Sequence, residues 1–583
     1  MALCEYLPLV TKRRDQSGSS KRARDRSAPG DAQSRAASGA TVTCRWGSAW
    51  VSALLIALAA VVVHWNTLDC GYVNWDDRGY VGGNPLVTGE GGLRAIWFDV
   101  FREKPTKQYY PLTWTSFWIE YRLFGDSPRA LHGTQIALHA LTSVVVFFTL
   151  WRMGAPMPAA LTAGLLFAVH PIHSASVAWI AERKNTLSGL FFFLSLLLYV
   201  EYVRRPGAWR YIGSLGSFLL ALLAKTACVV LAPILLVTDR VVEGRWSLRS
   251  VRRATPFFAI ALLMGAVTAR VESMHRKSGD PVELKYRPMV AAAAMVHYVQ
   301  KIVLPVELTP IYPRWAVSIS EPRYGVSVAF IIVAGCLMWK YRARVDACVT
   351  WGIAVFVISL LPVLGFVQFN FLQFSFVSDH FMYLSSVGLF LLAGMVLHQI
   401  SSWRVPAEAT TPRMLRMTAL VAPVVLILGV QTVKQNRVWI GPVEFWEYTL
   451  ERNPDCFPGH HNLGNHFMRE GAYERALLHF LETVRIDPTY IIVHRSCARC
   501  CKALGREEEA VAHYRRAVAV ERRKSPTSVG TQLEYADYLR SIGRTDEARR
   551  AYEAVLKVRP DHTAARRALV ALQRTDSTGP ASE

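Results

Sequence analysis

Apolar residues arrive along this chain in long blocks, and the first question is how many of them could cross a lipid bilayer. Spanning takes roughly 17–25 predominantly apolar residues, fewer where a helix is short or shielded by protein. Eleven stretches qualify: 48–65, 130–151, 158–169, 186–203, 211–224, 226–238, 256–269, 326–339, 347–366, 385–400 and 417–433. Each predicts a helix, because lipid offers no partner to an unpaired backbone N–H or C=O. The run 289–304 is also apolar, but making it span would break the alternation of loops, so it reads as an interfacial helix.

Basic side chains give these helices a direction. Arg152, the group Arg204, Arg205 and Arg210, the run from Arg240 to Arg253, Lys340 with Arg342 and Arg344, and the stretch from Arg404 to Arg416 occupy alternate loops. Residues 1–46, rich in Ser, Ala, Arg and Lys and without apolar period, read as a disordered basic tail on the same side, which the positive-inside rule assigns to the cytoplasm. Fusing 211–238 into one helix with Lys225 in its middle would expel Arg240 to Arg253 from that side, so the region reads as a hairpin turning at Lys225. The loops 66–129, 170–185, 270–323 and 367–384, the Lys225 turn and everything after residue 434 then lie outside.

From residue 457 the pattern becomes a repeat of 34 positions. Leu463, Gly464, Phe467, Gly471, Ala476, Phe480 and Pro488 set the first unit. Cys497, Ala498, Cys501, Gly505, Ala510 and Tyr514 follow 34 positions later. After a four-residue insertion come Tyr535, Ala536, Leu539, Gly543, Ala548, Tyr552 and Pro560. Small residues let paired helices approach and large ones fill the space between, which is the pattern of a tetratricopeptide array. The expected fold is all-α: a polytopic helical membrane domain over 47–434, then an α-solenoid over 435–574 with units 457–490, 491–524 and 529–562, and a disordered end at 575–583.

Composition agrees with this division. Of 583 residues 52% are apolar, with a mean hydropathy of +0.20, beyond what a soluble domain shows. The net charge of +22 does not point to nucleic acid, because the excess lies in short stretches between apolar runs. Ten cysteines form no regular framework. Cys497, Cys500 and Cys501 have the look of a metal or redox motif. Two of them, however, occupy positions filled by Leu, Tyr or Phe in other units, and no second pair accompanies them, so they read as core.

Candidate chemistry gathers in the outer loops. Asp76 and Asp77 stand side by side just beyond the first helix, where adjacent carboxylates suit a divalent cation or deprotonation of an acceptor hydroxyl, and equally a plain solvated turn. Tyr109, Tyr110, His132, His139, His170, His173, Glu182, Arg183, Lys184, Asn185, Lys225, Asp379 and His380 lie close to apolar segments, where ionisable groups persist when they face a polar cavity. Lys and Arg there suit a lipid phosphate. His170 and His173 have a spacing compatible with metal ligation and, with Pro171 between them, with ordinary structural histidines.

Several of these segments together resemble one family, the transmembrane and tetratricopeptide repeat O-mannosyltransferases and their bacterial relatives within the class C glycosyltransferases. The resemblance runs from about residue 48 to 560. It is carried by Tyr72-Val73-Asn74-Trp75-Asp76-Asp77 with Tyr80 and Asn84-Pro85, by Tyr110-Pro111-Leu112-Thr113, and by His132 and His139. Further carriers are His170-Pro171 with Val177, Glu182-Arg183-Lys184-Asn185, Leu308-Thr309-Pro310-Ile311-Tyr312-Pro313, and Ser378 to Leu384 with Gly388. It implies a catalytic acidic pair at Asp76 and Asp77, a polyprenyl-phosphate sugar donor (mannose by resemblance), a protein hydroxyl or envelope glycan as acceptor, and inversion at the anomeric carbon. Tyr110, His132, His170, His173, Arg183, Lys184, Lys225, Asp379 and His380 become donor-phosphate or substrate contacts, and a divalent cation at Asp76 and Asp77 remains an option. Two departures stand out: Tyr110 and His380 occupy positions where the family usually has Arg. The short array points to a bacterial inner-membrane member with periplasmic repeats; a eukaryotic one would place them in the endoplasmic reticulum lumen. The competing reading is a non-catalytic membrane-anchored scaffold whose repeats recruit proteins. A transporter would need a polar path across the whole membrane, whereas the polar groups gather on one side.

Overall fold

The computed structural model describes residues 30–98, 108–274, 282–366, 369–406 and 409–577, with side chains described between 47 and 573 of these. Residues 1–29 of the expected tail and 578–583 of the expected end lie outside the described residues. From Gly30 the backbone is already helical, continuing to His64, and the last helix, Thr563–Ser577, runs into the expected end. The chain divides at Ser52, and the unit Ala53–Glu583 carries the site described below.

Every element among the described residues is helical. Six helices are long and apolar enough to cross a membrane: Gly47–Asp69, Pro128–Met153, Ile180–Arg204, Leu248–Ser273, Pro322–Tyr341 and Thr410–Trp439. The pair Met157–Val169 and Pro171–Ala178, bent by 48°, passes the same test only when taken together, as one broken span or a re-entrant loop. Pro171 is the cause of the bend, since it lacks an N–H and its ring clashes with the preceding turn. The expected eleven spans therefore reduce to six or seven full-length ones. Ala208–Ala224, Ala347–Val363 and Ser386–Ser402 are apolar but shorter, and 226–238 is covered by a 3-10 turn and the helix Leu231–Glu243. Such short pieces survive because they are shielded by neighbours. A Cβ placed on Gly388 would fall 2.1 Å from the carbonyl oxygen of Gly352, so only glycine lets these two helices approach so closely. Outward faces stay apolar, with Leu54, Leu58, Ile332, Val333, Leu426 and Ile427 exposed as lipid-facing residues are.

The two ends of the helix bundle differ. At one, Arg152 pairs with Glu201, and Tyr199 and Arg253 each donate to Asp239 at 3.0 Å. At the other, Asn66 reaches the Val433 carbonyl (2.9 Å), Thr113 that of Ala224 (3.0 Å), Asn185 that of His380 (2.8 Å) and Asn453 that of Ile311 (3.2 Å). Loops far apart in sequence are thus stitched into one polar roof.

The repeats stand directly on this roof. Pro442–Arg452 leads into Phe457–Arg469 and Tyr473–Ile486, then Ile491–Ala503 and Glu507–Lys524, then Gly530–Ser541 and Thr545–Val558, closed by Thr563–Ser577. Gly471, Gly505 and Gly543 hold the tight turn of each pair at φ of 77°, 69° and 74°, a left-handed backbone that glycine adopts without strain. One hydrophobic core runs without a break from Ala178, Trp179 and Ala181 through Trp439 and Trp446 to Leu463, Phe480 and Tyr552. Cys497, Cys500 and Cys501 are buried in it.

Candidate functional site

The acidic pair is split by its own backbone. Asp77 opens the short helix Asp77–Tyr80 and is 1% exposed. Its Oδ2 accepts the Val73 N–H (2.9 Å) and its Oδ1 the Ala181 N–H (3.0 Å). Burial pushes its carboxyl up to about 8, against the pull of those two N–H groups. Asp76, one residue earlier, is exposed and sits at φ 73°, ψ −27°. A left-handed backbone costs an L residue roughly 1–2 kcal/mol, least for Asp and Asn, and such residues cluster where function over-determines the geometry. Each Asp77 oxygen thus accepts one backbone N–H from inside the fold, whereas the Asp76 side chain is exposed. Among the described residues no three His, Cys, Asp or Glu side chains converge as metal ligands.

Beside this loop lies a cluster of buried charge. Glu182 is 2.7 Å from the Lys184 ammonium and 3.9 Å from both the Lys225 ammonium and His380 Nε2. Lys225 donates to Asn185 Oδ1 (2.5 Å), and Asn185 donates to the His380 carbonyl. Burial pushes the His380 imidazole down to about 3; Glu182 opposes this while Lys225 and Lys184 add to it, so His380 is neutral. Two ammonium groups then face one carboxylate. The Lys184 and Lys225 side chains keep 12% and 15% exposure against 1% for Glu182, so the two ammonium groups are less enclosed than the carboxylate they share. Lys184 also stands over the Tyr80 ring (5.3 Å) and the Trp179 ring (5.8 Å). Tyr80 stacks on Trp114, and its hydroxyl donates to Gln108 (3.1 Å). Tyr80 closes the short turn that begins at Asp77, so its contact with Lys184 ties the acidic loop to the cationic cluster. Tyr110 is buried against the same core, and burial raises its phenol, so it faces the cluster as a neutral hydroxyl.

Other candidates are turned inward. Arg183 is fully buried, donating to Glu120 (2.6 Å), Gln135 Oε1 (3.0 Å) and the Leu131 carbonyl (2.9 Å); its fork closes a structural network rather than facing an outer ligand. His170 bonds the Ile302 carbonyl through Nε2 (3.0 Å) and takes the Ile172 N–H on Nδ1. His173 joins the Phe167 carbonyl (2.8 Å) to Ser386 Oγ (3.0 Å). Both use their two ring nitrogens within the fold, which is the structural alternative left open by Pro171. His132 and His139 are likewise buried, His139 against Tyr383 (3.0 Å). Asp379 belongs to a separate group. Tyr312 donates to its Oδ1 (2.7 Å), Lys301 acts on it electrostatically, and burial raises its carboxyl to about 7. Tyr109 is half-exposed at the edge of the loop.

Glu120 and Lys301 are the residues that sequence reasoning passed over. Glu120 did carry a signal, a lone acid inside the apolar helix Pro111–Phe124. Lys301 carried none, because its role depends on which distant segment meets it.

Comparison with known proteins follows the same division. A tetratricopeptide repeat family model matches residues 529–572. The chain is 24% identical over 564 residues to protein O-mannosyl-transferase TMTC3 of Mus musculus, covering 87% of this chain and 60% of that protein. It is 22% identical to Tmtc3 of Drosophila melanogaster, over 88% of this chain and 64% of that protein. A shorter stretch, 26% of this chain and 23% of the relative, is 33% identical to TMTC4 of Homo sapiens. The chain thus spans about 60% of the length of the curated relatives it matches throughout. Among solved structures, an Archaeoglobus fulgidus oligosaccharyltransferase tethered with an acceptor peptide aligns over 73% of this chain and 58% of its own, at a TM-score of 0.40 and 15% identity. The relatives of this multi-pass membrane protein are the transmembrane and tetratricopeptide repeat O-mannosyltransferases.

Proposed function

We propose that this chain transfers one sugar, mannose by its relatives, from a polyprenyl-phosphate donor to a hydroxyl of a protein or envelope glycan. The observation that carries the reading is that the short turn running from exposed Asp76 to Tyr80 is met by Lys184, whose ammonium stands 5.3 Å from the Tyr80 ring beside Glu182 and Lys225. Asp76 takes the proton of the acceptor hydroxyl as its oxygen attacks the anomeric carbon. The bond from that carbon to the phosphate oxygen breaks, and the lipid phosphate leaves as an anion held by Lys184 and Lys225. Attack opposite the leaving group inverts the configuration. Asp77 and Arg183 hold the loops, and Tyr110 and His380 contribute neutral hydrogen bonds where the family usually has Arg.

The basic loops support a cytoplasmic amino terminus with the roof and repeats on the other face: the periplasm for a bacterial inner-membrane protein, the endoplasmic reticulum lumen for a eukaryotic one. The test is incubation of the purified full chain in nanodiscs with radiolabelled polyprenyl-phosphate mannose and a Ser- and Thr-containing peptide. Labelled product with wild type and none with Asp76→Asn supports transfer. A folded wild type that labels no acceptor from mannose, glucose or galactose donors would favour the scaffold reading.

A further inference from the structure

The loop that carries Asp76 is built into the repeat array. Trp75 lies between Phe374 (ring centroids 5.6 Å) and Trp446 (5.1 Å), the latter wholly buried in the helix that leads into the first repeat. Phe374 in turn meets Phe457, at the start of that repeat, at 5.6 Å. Asn74 donates to the carbonyl of Asn462, on the first repeat helix, at 3.3 Å. Upstream, the Gly71 N–H binds the Ile440 carbonyl at 2.8 Å. Asp76 therefore has one neighbour, Trp75, gripped by the array, and the other, Asp77, gripped by the membrane domain at Ala181. A left-handed residue is held most firmly where the surrounding structure fixes its flanks.

Resting on the reading of Asp76 as the base, we infer that Trp75 is a positioning residue through which the first repeat holds Asp76 in its left-handed conformation. The array is then part of the catalytic geometry, in addition to any part it takes in binding acceptors. Asn74, Trp446 and Asn462 complete the grip.

The experiment uses the full chain in nanodiscs, with transfer measured against acceptor concentration at saturating donor. Trp75→Ala and Trp446→Ala should each lower kcat at least about tenfold, toward the order of 10² that a displacement near 1 Å can cause, with acceptor KM within about threefold. Trp75→Phe should recover most of the rate. The double alanine variant should be no slower than the slower single one, because both remove the same contact. A merely structural tryptophan would lower the amount of folded protein and leave kcat per folded molecule unchanged. If either alanine variant fails to insert, Asn74→Ala and Trp446→Phe carry the same test, with an expected kcat loss of about threefold or more. Unchanged kcat in these variants, where Asp76→Asn abolishes transfer, overturns the positioning role alone. Transfer that survives in Asp76→Asn overturns the base assignment and this inference with it.

Discussion

The carboxylate of Asp77 accepts the amide of Ala181 at 3.0 Å, across 104 residues of sequence, and by this bond the first outer loop is fastened to the turn that presents the cationic cluster. Asp76 and Asp77 are adjacent in sequence but opposite in exposure, so they should fail differently when altered.

Asp77→Ala leaves two buried N–H groups without an acceptor, each costing about 1–3 kcal/mol, and should lower the unfolding temperature in detergent. Asp76→Asn should leave that temperature unchanged and lower transfer by on the order of 10²–10⁴. Thermal unfolding and transfer measured on the same preparations separate the two; a stable Asp77→Ala protein would show that the loop is fastened elsewhere.

Arg183 and Lys225 invite the same comparison. Arg183→Met strands Glu120 as a buried charge, a change expected to cost about 3–5 kcal/mol and to be read as loss of folded protein. Lys225→Met should fold and weaken donor binding by roughly tenfold or more, the value of one charge-assisted contact. Equilibrium binding of a labelled polyprenyl phosphate reports the second effect, and unaltered affinity would remove Lys225 from the donor site.

Asp379 should make stability fall as pH rises, relative to a variant that lacks the acid. Asp379 is raised to about 7 by burial, whereas in the unfolded chain an aspartate titrates near 3.9. Between those limits this acid keeps its proton in the folded state and loses it in the unfolded one, so each unit of pH favours unfolding, while buried neutral histidines such as His380 push the opposite way below about pH 6.5. The difference in unfolding temperature between wild type and Asp379→Asn isolates the acid: taken from pH 5 to 8, the wild type should lose ground to the variant as pH rises toward about 7. A difference that stays constant with pH would mean that Asp379 ionises as an ordinary carboxylate does.

Topology has a direct readout. A reporter active only outside the cytoplasm should be active when fused after Asp561 and silent when fused at Glu243. The reverse result would invert the bundle and move the acidic loop to the cytoplasmic face.

The helices and the repeats could be read from the sequence because their signals are local. Blocks of apolar residues, Pro171 as a breaker and the recurring Gly471, Gly505 and Gly543 act within a turn or two of where they stand. Which helices reach full length was less legible, since 211–224 and 385–400 are short and depend on neighbours for shielding. The site was legible only as a set of candidates. Nothing in two consecutive aspartates says which one faces inward, and nothing in Glu182-Arg183-Lys184 says that Arg183 turns toward Glu120 while Lys184 turns toward Tyr80. Those choices are made by partners 50 or more residues away.

The bond from Asn74 to Asn462 joins positions 388 residues apart. During synthesis at about 5–20 residues per second, the loop bearing Asp76 would wait roughly 20–80 s before its partner exists. Through that interval the membrane helices can insert and pack, and the acidic loop is fastened on its Asp77 side to Ala181 while its Trp75 side has no array to rest against. The order of manufacture thus delays completion of the site until the first repeat has reached the same face of the membrane, and a chain interrupted before that repeat would hold every membrane helix and an unset Asp76.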